Sequence, residues 1–130
     1  MIFISKTSMT QTPEQPDREH RIDYEIVVDA YDETERAMGW YYYLENILEM
    51  PFTAQCRIKR SVSPLKVGQI VQVIGMADED DCMSEIFVRI AYKKSELAVP
   101  LEQLDCQSPD EATCQAVADW HYWLARGYEY

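Results

Sequence analysis

The chain has 130 residues, 47% of them apolar, enough for one domain with a packed core. Its 12 Lys and Arg stand against 23 Asp and Glu, a formal charge of −11. That balance repels phosphate backbones and anionic membranes, which excludes nucleic acid and lipid surfaces and leaves cations or basic proteins as the partners it attracts.

The four cysteines (Cys56, Cys82, Cys106, Cys114) form no C-x-x-C pair, and the two histidines, His20 and His121, lie far apart. A four-ligand zinc site would have to be gathered from distant segments, so this donor set argues against zinc. No export signal is recognisable and no apolar run nears the ~20 residues of a membrane span. These features predict a cytoplasmic protein whose thiols stay reduced and act as small buried hydrophobes.

Residues 1–17, rich in Thr, Gln, Pro and Ser, read as a disordered leader, with Met9 as an alternative initiator and residues 18–130 as one domain. Arg18 to Ala30 fits a short helix through Ile22, Ile26, Val27 and Ala30, although Ile26-Val27-Val28 would also suit a strand. A long helix follows from Asp32 to about Glu49. Asp32 and Glu35 have capping-box spacing, and Ala37, Trp40, Tyr41, Leu44 and Leu48 share one face. Pro51 ends it.

Phe52 to Arg60 alternates as a half-buried strand, Ser61 to Gly68 is a loop, and Gln69 to Met76 is a second strand with a bend at Gly75. The acidic loop Asp78-Glu79-Asp80-Asp81 leads to a strand at Ile86 to Tyr92, a turn at Lys93-Lys94-Ser95 and a strand at Glu96 to Val99. Pro100 to Gln107 reads as a connection. Ser108-Pro109-Asp110-Glu111 starts a last helix with Ser108 as cap, Cys114, Val117, His121 and Leu124 on one face, and Gly127 at its end. The expected fold is α+β: a small antiparallel twisted sheet or SH3-like partial barrel, with two N-terminal helices and one C-terminal helix packed on it.

Two groups of carboxylates suit a hard cation. Asp29, Asp32, Glu33 and Glu35 gather at the entrance of the long helix beside an aromatic run, and Asp78, Glu79, Asp80 and Asp81 repel one another until a divalent ion relieves them. Each also has a plainer reading, as helix capping in the first group and a solvated hairpin tip in the second. Neither is an EF-hand. Counting from Asp78 puts Cys82 at position 5, Met83 where the turn glycine belongs and Arg89 at position 12, and counting from Asp29 puts Tyr31 at position 3.

Asp119-Trp120-His121-Tyr122-Trp123 places an acid beside an imidazole but offers no nucleophile, so it reads as a core-lining helix face. With no catalytic or phosphate-binding motif present, the chain is not expected to be an enzyme.

Several segments together carry a resemblance: Arg21-Ile22-Asp23, Glu25 to Asp32, Glu35 to Leu44, Ser63 to Gly68, Gly75-Met76-Ala77 before the acidic loop, Leu97 to Leu101, and Asp119 to Trp123. Over roughly Asp17 to Gly127 the chain resembles the CcbP-type calcium-binding proteins of cyanobacteria. The resemblance implies a small acidic cytoplasmic protein that binds Ca²⁺ outside the EF-hand class, as a buffer or in signalling. The two carboxylate groups are candidate ligands by their clustering alone. The alternative is a metal-independent interaction module that holds a basic protein through exposed Tyr41, Tyr42 and Tyr43.

Overall fold

The computed structural model describes residues 13–128 and residue 130. The expected leader falls largely on residues 1–12, outside the described ones, as does Met9; Pro16 and Asp17 already belong to the first helix. That helix, α1 (Pro16–Arg21), has Pro in its first turn, where a missing N–H costs nothing. It widens into a π-helical turn, Ile22–Ile26, which buries Ile22 and Ile26. The turn ends at its C-cap, Val27, and Asp29 then takes a left-handed conformation, φ 58°, in the connection to α2.

Helix α2 (Glu33–Ile47) starts as its sequence dictates. The Asp32 carboxylate accepts the Glu35 N–H at 2.8 Å, and Ala37, Trp40, Tyr41 and Leu44 form the buried face, with Leu48 buried just beyond. Gly39 lies against the preceding π turn, where a Cβ would sit 2.5 Å from the Ile26 carbonyl oxygen. The helix stops at Ile47, and Met50–Pro51 is a cis peptide.

Five strands follow: β1 (Phe52–Cys56), β2 (Ile70–Met76), β3 (Phe87–Tyr92), β4 (Ser95–Pro100) and β5 (Leu104–Cys106). All neighbours are antiparallel in the order β4-β3-β2-β1-β5, an open sheet with β4 and β5 as edges rather than a partial barrel. In β1 the alternation holds, with Phe52, Ala54 and Cys56 inward, but the strand ends before Ile58. The bend near Gly75 is a register irregularity against β3, and the Arg89 guanidinium lies over Gly75. Lys93 and Lys94 both have positive φ, 46° and 66°, as a two-residue hairpin turn requires. Strand β5 lies where a connection was expected; three residues are too few to show a period, and its pairing with β1 fixes it.

Helix α3 (Glu111–Ala125) is capped by Asp110, not by Ser108. The Asp110 carboxylate accepts both the Thr113 N–H (2.9 Å) and the Thr113 hydroxyl (2.6 Å), while Ser108 Oγ accepts the Asp110 N–H (3.0 Å). Its end is a Schellman motif at Gly127, φ 86°: Gly127 N–H bonds Leu124 O and Tyr128 N–H bonds Trp123 O.

The inward face of α3 is Thr113, Ala116, Val117, Trp120 and Trp123, about one position round from the expected face. Cys114, His121 and Leu124 are only half-buried. The helix is apolar on most sides, and its one fully buried carboxylate, Asp119, points into the protein because arginines meet it there. Trp40, Trp120 and Trp123 form the seam between α2 and α3, with centroid separations of 5.0 to 5.5 Å.

Two further sequence expectations are corrected. Cys106 and Cys114, whose Cα atoms are 5.2 Å apart, form a disulfide because β5 runs directly into the loop that starts α3. Cys56 and Cys82 are free and buried, as expected. Of the three successive tyrosines, Tyr41 is buried, Tyr43 half-buried and only Tyr42 exposed, since neighbours on a helix point in different directions. No helix among the described residues is long and apolar enough to cross a membrane.

Candidate metal site

The first acidic group stands at the entrance of α2, and all its members are exposed. Asp32 Oδ1 accepts the Glu35 N–H and Glu35 Oε1 accepts the Tyr31 N–H, each at 2.8 Å, so both carboxylates spend one oxygen on capping. Asp29 sits on the left-handed turn before them. Glu33 faces a recess of about 440 Å³, lined also by Arg36, Met83, Ser84 and Tyr130. Glu33 is thus the member of this group that looks toward the segment following the acidic loop.

In the second group, Asp78 precedes a single 3₁₀ turn, Glu79–Cys82, closed by Asp81 N–H on Asp78 O at 2.9 Å. Buried Cys82 anchors the turn, its sulfur accepting the Phe87 N–H at 3.3 Å. Asp78, Glu79, Asp80 and Asp81 stay exposed, as their mutual repulsion requires.

Two phenols of α2 fasten this turn. Tyr41 donates to the Ala77 carbonyl and Tyr42 donates to Glu79 Oε2, both at 2.6 Å. Burial pushes the Tyr41 hydroxyl up to about 12, helped by the negative charges of Glu45, Glu79 and Asp78 among its neighbours. The Tyr42 hydroxyl is also raised, chiefly by its bond to Glu79.

Those shifts reveal a carboxylate the sequence reading missed. Glu45, one turn after Tyr41, bears on the same phenol as the acidic turn, and its i+4 position on α2 was the available signal. Asp78 and Asp81 also line a recess of about 220 Å³ with Arg89 and Glu96. Arg89 donates there from Nη1 to Glu96 at 2.6 Å and from Nε to the Met76 carbonyl at 2.9 Å. Glu96, on edge strand β4, is a second acid that clustering along the sequence did not bring in.

Among the described residues, no three Asp, Glu, His or Cys side chains are gathered closely enough to hold a metal ion together. The donors on this face are oxygens throughout, which fits a hard cation such as Ca²⁺ and not a soft metal. Cys82, though part of the acidic turn, is fully buried, and the other soft donors lie elsewhere. Burial raises the Cys56 and Cys82 thiols and, as the leading cause, holds His121 neutral with a pKa lowered to about 4. Asp119 and His121 do not act as a pair: Asp119 is taken by Arg18 and Arg21, and His121 Nε2 lies 3.3 Å from the Leu101 carbonyl.

The chain matches the CcbP family, described as calcium binding, over residues 20–124. No curated protein matches it. Among solved structures it is similar to Anabaena CcbP, at 41% identity over 94% of this chain and 100% of that one, with a TM-score of 0.82. It is similar also to a calcium-binding protein in its calcium-binding form, at 41% identity over 90% and 96% of the two chains, with a TM-score of 0.79. The α+β fold described above is therefore shared with proteins whose ion is Ca²⁺, and the chain belongs to the CcbP family of calcium-binding proteins.

Proposed function

We propose that this chain binds Ca²⁺ through surface carboxylates and acts as a cytoplasmic buffer or signalling protein, without catalysis. The observation that carries the reading is the fastening of the acidic turn to α2. Tyr41 and Tyr42 hold Ala77 and Glu79, so that Asp78, Glu79 and Glu45 share one negative face. Asp78, Glu79, Asp80 and Asp81 form the main group of ligands in this reading. Asp29, Asp32, Glu33 and Glu35 supply a second group, in which Asp32 and Glu35 offer the oxygens left over from capping.

Because the carboxylates are exposed and apart, an ion must gather them, at about 0.5–1.5 kcal/mol of ordering per side chain. Micromolar or weaker affinity follows, the range of a sensor more than of a tight buffer. The metal-independent alternative, a surface for a basic protein, retains only Tyr42 as an exposed ring of its three.

Calorimetric titration with Ca²⁺ at physiological salt and excess Mg²⁺ tests the proposal. Asp80→Asn with Asp81→Asn should weaken binding at least about tenfold while leaving the unfolding midpoint in place, since ligand charge sets affinity in such sites. An unchanged titration moves the site away from this turn. No heat above that of buffer ends the calcium reading, and a basic partner retained in the presence of chelator supports the alternative.

A further inference from the structure

We propose that Cys106 and Cys114 form a reversible thiol–disulfide site, at which a dithiol reductant loosens the junction between α3 and the end of α2. The bridge joins the last residue of edge strand β5 to the first turn of α3, eight residues on in sequence. Both cysteines are half-buried and line an open recess of about 330 Å³ beside His121. The other two thiols are closed off, Cys56 at 1% exposure and Cys82 at 0%. An incoming thiolate therefore reaches this pair and no other cysteine, and access is one of the factors that govern exchange.

Both oxidation states are provided for. Once reduced, the Cys114 thiol has an acceptor in place, the Ser108 carbonyl 3.4 Å from its sulfur. The reaction balances with the reductant alone: one of its thiolates attacks a bridge sulfur to give a mixed disulfide, and its second thiol displaces that bond and closes the reductant's own disulfide. Two electrons and two protons pass to Cys106 and Cys114, which end as free thiols.

The consequence is mechanical. The bridged loop carries Asp110 and Thr113, and Thr113 Oγ1 accepts the Glu49 N–H at 2.9 Å while donating to Asp110. Glu49 lies two residues beyond the end of α2, so the first turn of α3 grips the exit of α2. Strand β5 pairs with β1 over only three residue positions, and beyond it the Gln107 N–H on the Thr53 carbonyl, at 2.8 Å, is the loop's bond to β1. Opening the bridge returns conformational freedom to the residues that set the cap and the grip.

The test uses the full chain under native conditions, with dithiothreitol as reductant and a maleimide as thiol trap. The expected result is labelling of Cys106 and Cys114 with none on Cys56 or Cys82, and loss of at least about tenfold in amide-exchange protection at Glu49 and across the first turn of α3. Reoxidation restores protection, and the double variant C106S with C114S shows the loosened pattern without reductant. Three results would overturn the proposal: native thiols that resist labelling, labelling with no change in protection, or loss of protection throughout the chain. Calcium plays no part in these readouts.

Discussion

Asp119 offers the sharpest test of how the N-terminal segment is held. Its carboxylate is fully buried on α3 and accepts from Arg18 Nη1 at 2.5 Å and from Arg21 Nε and Nη2 at 2.7 and 2.8 Å. Replacing it with Ala strands two guanidiniums beside a void. Removing one partner of a buried pair costs about 3–5 kcal/mol. Here Arg18 and Arg21 keep 26% and 18% of their side-chain surface exposed, so both can rehydrate in part. We therefore expect Asp119→Ala to cost about 2–4 kcal/mol. With a urea slope of about 2 kcal/mol per molar, the midpoint falls by roughly 1–2 M, read by far-ultraviolet circular dichroism. Exchange protection should fall first in α1 and its π turn, the elements the pair ties down. A midpoint shift below about 0.3 M would refute the reasoning, since it would mean that packing alone seats α1.

Three further outcomes are expected. His121 has its pKa lowered from 6.5 to about 4 by burial and the nearby Arg57 charge, so below pH 6.5 the unfolded chain binds its proton more readily. Its contribution to stability is present above pH 6.5 and lost as pH falls toward 4; His121→Gln should flatten that part of the unfolding-midpoint profile, and an unchanged slope would contradict the assignment. Gly39→Ala drives a Cβ to 2.5 Å from a backbone oxygen, which cannot swing aside as a side chain would; a loss of about 1–3 kcal/mol by urea titration is expected. Thr113→Val removes, from a fully buried side chain, both the acceptor of the Glu49 N–H and the hydroxyl donor to Asp110, and should cost about 1–3 kcal/mol by the same titration.

Helix α2 was legible because its signals agree: a capping carboxylate, four buried residues at helical spacing and a proline after the end. At α3 the sequence pointed to Ser108 as the cap, and Asp110 takes that place because its carboxylate accepts both the N–H and the hydroxyl of Thr113. Strand β5 and the Cys106–Cys114 bridge were not legible, since both are products of tertiary placement. A three-residue strand has no period, and cysteine spacing does not state pairing. The candidate site divides in the same way. Charge runs reveal Asp78 to Asp81 directly, whereas Glu45 and Glu96 reach that neighbourhood from a helix and an edge strand whose positions only the fold supplies.

The distribution of aromatic rings decides which optical signal follows which event. All three indoles stand in the seam between α2 and α3, so fluorescence excited at long wavelength reports the docking of those helices. The phenol of Tyr42 is the exposed ring bonded to a carboxylate of the acidic turn, and its ultraviolet difference spectrum is the natural gauge of an ion drawing Glu79 away. Two colours of light thus separate the loosening of the scaffold from the arrival of its ligand in a single cuvette.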